Sequence, residues 1–244
     1  MRPRLILAAI SLFVTIPASA STFSDVTKTC PVGGERFRFS ELRSISTFGS
    51  FPDGMPFGSG YFPIEMPECP GNGLVMYREF TGAEIERLAT LIADPEYLAV
   101  RKSDNAYYRA YWLEKQLLPS SDILTGLLMR AGWDAKNRTP GGEQALRYTR
   151  ELIDAIEAEP PGEANVSSVV LQLRLANALR ELKRFDEAAA VLQSVGIDDS
   201  LPVEDETPDD APKVRKWLAE LKAGLSRATE RGDDSRQPDG MRED

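Results

Sequence analysis

The apolar positions of this chain change their pattern at Thr81. Downstream, Ile85, Leu88, Leu91 and Ile92 recur at the three- and four-residue spacing of one helix face. They follow Thr81-Gly82-Ala83-Glu84, a capping box in which the threonine oxygen and the glutamate side chain satisfy orphan backbone amides. Asp94-Pro95 stops this helix. The same spacing predicts helices over Asn105–Leu117, Ser121–Trp133, Glu143–Ala158, Val166–Leu182 and Phe185–Val195, each bounded by Pro, Gly or a capping Ser, Asp or Asn. Val214, Trp217, Leu218, Leu221 and Leu225 predict a last amphipathic helix over 213–231 that docks on the preceding ones.

Upstream, residues 21–80 lack that period and are rich in Gly, Pro, Phe and Ser. Phe48-Gly49-Ser50 is echoed by Phe57-Gly58-Ser59 on either side of Phe51-Pro52-Asp53-Gly54. Such punctuation forbids long helices and predicts turns. Arg36–Phe39, Arg43–Phe48 and Leu74–Tyr77 are short enough and apolar enough to pair as strands. The expected class is α+β, mostly α, with a small N-terminal β-ribbon or sheet (21–80) ahead of a helical bundle (81–200). Residues 201–212 hold acids and no base and read as a solvated linker. Residues 232–244 are charged, lack hydrophobic anchors and are expected to be disordered.

Residues 1–20 carry Arg2 and Arg4, an apolar run from Leu5 to Ile16, and then Pro17-Ala18-Ser19-Ala20. This is the grammar of a secretory signal peptide cleaved after Ala20. The run is shorter than the roughly 20 residues of a spanning helix, and no cysteine follows to accept lipid. The mature chain is therefore expected to be soluble and periplasmic or secreted. The chain has 29 basic and 38 acidic residues, and losing Arg2 and Arg4 with the leader takes the formal charge from −9 to −11. Nucleic acid is an unsuitable partner, because phosphate is held by clustered cations.

The two cysteines, Cys30 and Cys69, meet an oxidising compartment after export, which predicts a disulfide. Closing that loop is worth about 4 kcal/mol in chain entropy. They stand in Cys30-Pro31-Val32-Gly33-Gly34 and Cys69-Pro70-Gly71-Asn72-Gly73. Both read as metal knuckles that have lost their second ligand, since a zinc ribbon needs four ligands, usually from two Cys-x-x-Cys turns. Gly33 and Asn72 occupy the missing positions, so no metal or other cofactor is expected. Residual zinc binding through Cys30 and Cys69 is the competing reading.

Leu175-Ala176-Asn177-Ala178-Leu179-Arg180-Glu181-Leu182-Lys183-Arg184-Phe185-Asp186-Glu187-Ala188, continuing to Val191 and Leu192, resembles one tetratricopeptide repeat. Small Ala176 and Ala188 would let two antiparallel helices approach, with Leu179, Phe185 and Leu192 in the seam. The paired Cys-Pro turns followed by such helices resemble an uncharacterised bacterial family with two Cys-Pro-x-Cys-Gly knuckles ahead of a helical region. The resemblance implies a zinc site at Cys30, Gly33, Cys69 and Asn72, half of whose ligands are missing here, and it implies no activity.

Tyr107, Tyr108, Tyr111 and Trp112, with Arg109 beside them, offer two readings. They form a core helix face, or they form an interaction surface that stacks a sugar or a peptide. Catalysis is argued against by the absence of histidine, which removes Ser-His and Cys-His nucleophile activation. There is also no Gly-x-Ser-x-Gly elbow or phosphate loop. Glu65, Glu68 and Glu79 remain as carboxylates able to serve a glycoside hydrolase. The leading expectation is a non-enzymatic envelope protein whose helical half binds another envelope protein. A carbohydrate- or peptidoglycan-binding module or small hydrolase is the alternative.

Overall fold

A computed structural model of the chain describes residues 21–159, 164–203 and 210–241. Residues 1–20, where a leader is expected, and the middle of the acidic segment 201–212 lie outside the described residues. The fold is α+β and mostly α: two small antiparallel sheets precede eight helices among the described residues.

The first sheet pairs β1 (Thr22–Thr29) with β2 (Arg36–Ser44), and the second pairs β3 (Thr47–Ser50) with β4 (Pro56–Gly58). The echoed Phe-Gly-Ser motifs are the two arms of this second hairpin, with Gly49 opposite Phe57 and Thr47 opposite Gly58. A Cβ on Gly58 would sit 1.9 Å from the Ser46 carbonyl oxygen, so only glycine allows that approach. β1 was not legible as a strand, because Thr22-Phe23-Ser24-Asp25 lacks strict alternation and no residue of the ribbon is fully buried. Leu74–Tyr77, by contrast, is no strand. Leu74 and Val75 are fully buried in the core, and only a single bridge joins Val75 to Glu68.

The helices are α1 (Gly82–Leu91), α2 (Pro95–Ser103), α3 (Ala106–Leu117), α4 (Leu124–Arg138), α5 (Glu143–Ala158), α6 (Val166–Glu181), α7 (Phe185–Ser194) and α8 (Ala211–Glu230). Thr81 and Glu84 form the capping box expected of α1. Asp94-Pro95 ends α1 and also starts α2: the Asp94 carboxylate caps Glu96 N–H at 2.7 Å, and proline suits the first helical turn. α4 starts later than Ser121 because that hydroxyl donates to buried Glu114 at 2.6 Å instead of capping a helix. It runs past Trp133 to Arg138, whose charge, with Lys136, suits a helix C-terminus.

α1 and α2 pack on α3, and from α3 each helix packs on the next, with α8 returning to touch α6. Ala176 and Ala188 are buried between α6 and α7, as are Leu179 and Leu192. The segment 232–241, expected to be disordered, lies against this stack. Asp233 O accepts from the fully buried Arg180 at 2.5 Å, Arg236 reaches Asp53 at 3.2 Å, and Met241 packs at Gly224. Its anchors are two polar contacts and one methionine, isolated from one another, which a search for apolar periodicity overlooks.

Candidate functional site

The two cysteine turns repeat one hydrogen-bond pattern. Cys30 N–H donates to Glu35 O at 2.8 Å and Cys30 O accepts from Gly34 N–H; Cys69 N–H donates to Leu74 O at 2.9 Å and Cys69 O accepts from Gly73 N–H. The turns bring Cys30 and Cys69 to disulfide distance, with Cα atoms 5.6 Å apart, and both residues are buried. Gly33 and Asn72, where the resemblance implies ligands, and the neighbouring Gly73 shape and tie these turns. Gly33 and Gly73 take positive φ, while Asn72 donates to Val32 O at 2.8 Å and accepts from Leu74 N–H at 2.9 Å. Glu35 also accepts from Gly71 N–H at 2.9 Å, so each turn holds the other. Among the described residues no three His, Cys, Asp or Glu stand together as a metal cluster.

Beside these turns lies a cleft of about 850 Å³, within the range that takes a ligand. One wall is β2 (Phe37, Arg38, Phe39, Ser40), another is the segment from Tyr61 to Pro70, and the floor comes from Asn105 to Arg109 of α3 with Asp134 and Arg138 of α4. Asn105 fixes the floor twice, capping Tyr108 N–H at 3.0 Å and donating to Ala131 O at 2.9 Å. Phe23 and Tyr61, 61% and 65% exposed, stand among the lining residues as rings largely open to water.

The polar groups of the floor are mostly committed. Arg109, 7% exposed, donates both terminal nitrogens to Glu68, at 2.7 and 2.6 Å. Burial pulls the guanidinium pKa down, but the Glu68 carboxylate more than offsets this and holds it above its ordinary value. Its Nε finds no acceptor among the described residues. Tyr107 donates to Ile64 O at 2.5 Å, and burial raises its phenol to about 12, so it stays protonated. Asp134 accepts from Arg138 at 2.9 Å. Arg38 and Glu65 remain exposed and make no ion pair among the described residues.

The aromatic group does not stay together. Tyr108 and Tyr111 are core residues, Tyr108 stacking on Tyr148 at 4.5 Å, and Trp112 packs on Tyr97 over the cysteine turns. Of the group, Tyr107 and Arg109 reach the cleft. Glu65 and Glu68 line it, but both Glu68 oxygens are taken by Arg109, and Glu79 is exposed outside it.

The helical half contains a second polar centre. The side of α4 and α6 carrying Trp133, Lys136, Arg174 and Asn177 is covered by the chain's own Phe51–Met55 turn, leaving a cavity of about 20 Å³. Asp53 accepts from Lys136 at 3.1 Å and Arg236 at 3.2 Å, Lys136 also meets Glu181 at 2.6 Å, and Arg174 donates to Pro52 O. Burial pushes the Asp53 carboxyl up, but Lys136 and Arg236 more than offset it and hold its pKa below the usual range. Only a turn signature at Pro52-Asp53-Gly54 marks this residue in the sequence. A further open hollow of about 510 Å³ between α7 and α8 is lined by Phe185 and Lys222, the latter tied to Val195 O at 2.6 Å.

No protein-family model, curated protein or solved structure matches the chain.

Proposed function

We propose that this is an exported, non-enzymatic binding protein of the bacterial envelope, whose partner, a segment of another envelope protein, sits in the cleft between β2 and α3. The observation that carries this reading is the cleft itself: exposed rings in its lining over a floor of pre-paired polar groups. Groups locked in ion pairs recognise shape and charge without reorganising, and among the described residues Glu65 is the one carboxylate of the lining that stands outside an ion pair, where glycoside hydrolysis needs two. The leader and the cysteine pair support export. We read the cysteine turns as degenerate knuckles joined by a disulfide in place of metal, and α6–α7 as a tetratricopeptide-like hairpin that serves as scaffold. The Phe51–Met55 turn already covers one side of that scaffold, which moves the expected binding surface to the cleft.

A photo-crosslinking residue placed at Tyr61, with Trp217 of α8 as control, tests the reading in intact cells. A defined adduct from Tyr61 and none from Trp217 is expected; adducts from both sites or from neither overturn it. Exposed Phe23 and Tyr61 favour a second reading, a glycan stacked on these rings. Peptidoglycan fragments that raise the melting temperature of the wild type but not of Tyr61→Ala would establish it.

A further inference from the structure

β1 and β2 form a sheet of two strands, so among the described residues each has an edge without a strand partner. The register says which groups β2 presents there. Cys30 N–H bonds Glu35 O across the connecting turn, and antiparallel ladders alternate bonded with non-bonded pairs. Lys28 with Phe37, Val26 with Phe39 and Ser24 with Glu41 are therefore the bonded pairs, and Arg36, Arg38 and Ser40 turn their N–H and C=O outward. That outer edge faces the cleft. Phe37, Arg38, Phe39 and Ser40 alternate between the two faces of the ribbon, yet all four line the cleft, which a strand achieves along its edge.

We infer that the partner enters as an extended peptide alternating acidic and apolar residues, added to the outer edge of β2 as a third strand. This rests on the cleft being the binding site. Charge along this edge selects the peptide: Arg36 and Arg38 make no ion pair among the described residues, whereas Glu41 is already held by Lys28 at 2.5 Å and Arg43 at 2.9 Å, and of the carboxylates lining the cleft only Glu65 stands outside an ion pair. An added strand shares the pleat of β2, so alternate side chains fall beside Arg36 and Arg38, and the others beside Phe37 and Phe39. A second copy of the chain fits less well, because its β2 brings the same three arginines and one acid to the edge and so supplies no surplus of negative charge.

The probe is an acetylated, amidated heptapeptide of alternating Glu and Val, titrated into the full mature chain by calorimetry. Ser40→Pro removes an outward N–H and leaves the β1–β2 ladder complete, and Thr27→Pro does the same at the opposite edge. The wild type and Thr27→Pro are expected to bind alike, with Ser40→Pro at least ten-fold weaker. Arg38→Glu, which leaves the backbone untouched, is expected to lose this peptide and to bind its Lys-Val counterpart. Absence of binding, equal loss in both proline variants, or unchanged affinity in Ser40→Pro and Arg38→Glu overturns the inference. So does concentration-dependent dimerisation that Ser40→Pro abolishes, which gives the edge to a second copy. If the peptide fails while the Tyr61 adduct forms, strand addition alone is wrong; if both fail, the cleft is not the site.

Discussion

Leu88, Leu113, Leu128, Ile153, Leu173, Leu179, Leu218 and Leu225 are fully buried in the helical half, whereas no residue of β1 or β2 is. Each such side chain contributes about 1.5–3 kcal/mol, spread over many neighbours, so the helical half is held by area. A two-stranded ribbon has no such reserve and is marginal by itself. Beyond Leu74, Val75 and the buried cysteines, the N-terminal half is held by discrete ties. These are the cysteine pair, the Asp53 centre, the Arg109–Glu68 pair, and Arg78, which bridges Glu84 at 2.7 Å and buried Glu114 at 2.8 Å. Area fails gradually under substitution, while a single tie fails at once.

Asp53→Ala should break this comparison most severely. It leaves Lys136 and Arg236 without their shared carboxylate in a buried site, which costs about 3–5 kcal/mol in urea denaturation. Because the folded state holds the Asp53 pKa below its unfolded value, the contribution is complete above about pH 4 and is lost as pH falls through the folded pKa. The gap between wild type and variant should narrow on acidification. A gap independent of pH would mean that the turn contributes by packing and not by charge.

Replacing Cys30 and Cys69 together by Ala should cost about 4 kcal/mol, the entropy of the loop they close. Hydrogen exchange should report the damage regionally, with faster exchange in β1, β2 and the Leu74–Val75 segment and little change in α6 to α8. Uniform acceleration along the chain would show that the two halves unfold as one unit.

The smallest effect should come from the helical half and carry the opposite sign. Lys183, between α6 and α7, has φ 62°, a conformation that suits glycine. Its ion pair with Asp234, at 3.3 Å between exposed side chains, is worth little. Lys183→Gly should therefore raise stability by about 0.5–1 kcal/mol, seen as a higher urea midpoint with an unchanged slope.

Legibility followed the same division. The boundaries of α3, α5, α6 and α7 were readable because the apolar face, the cap and the stop of each lie within one short segment. α2 was missed because Asp94-Pro95 is both a stop and a start, and the local reading took only the first meaning. Within the candidate site, Tyr107, Arg109, Glu65 and Glu68 were flagged by residue type, but their separation from Tyr108, Tyr111 and Trp112 was not. Adjacent helical positions point different ways, and only the neighbours decide which way is inward. Asp53, Arg38 and Tyr61 carried no local signal of their roles.

The sequence by itself determined the class of the fold, the helices apart from α2, the capping box of α1 and the proximity expected of the two cysteines, because each depends on near neighbours or on one covalent chemistry. Tertiary structure alone decided that the Asp53 turn covers α4 and α6, that the tail returns to it, and that an edge of β2 opens on a cleft. Asp53 and Arg236 meet across 183 residues of sequence. No periodicity encodes such a meeting; it exists only once the helices have packed and left a buried place where one carboxylate meets both Lys136 and Arg236.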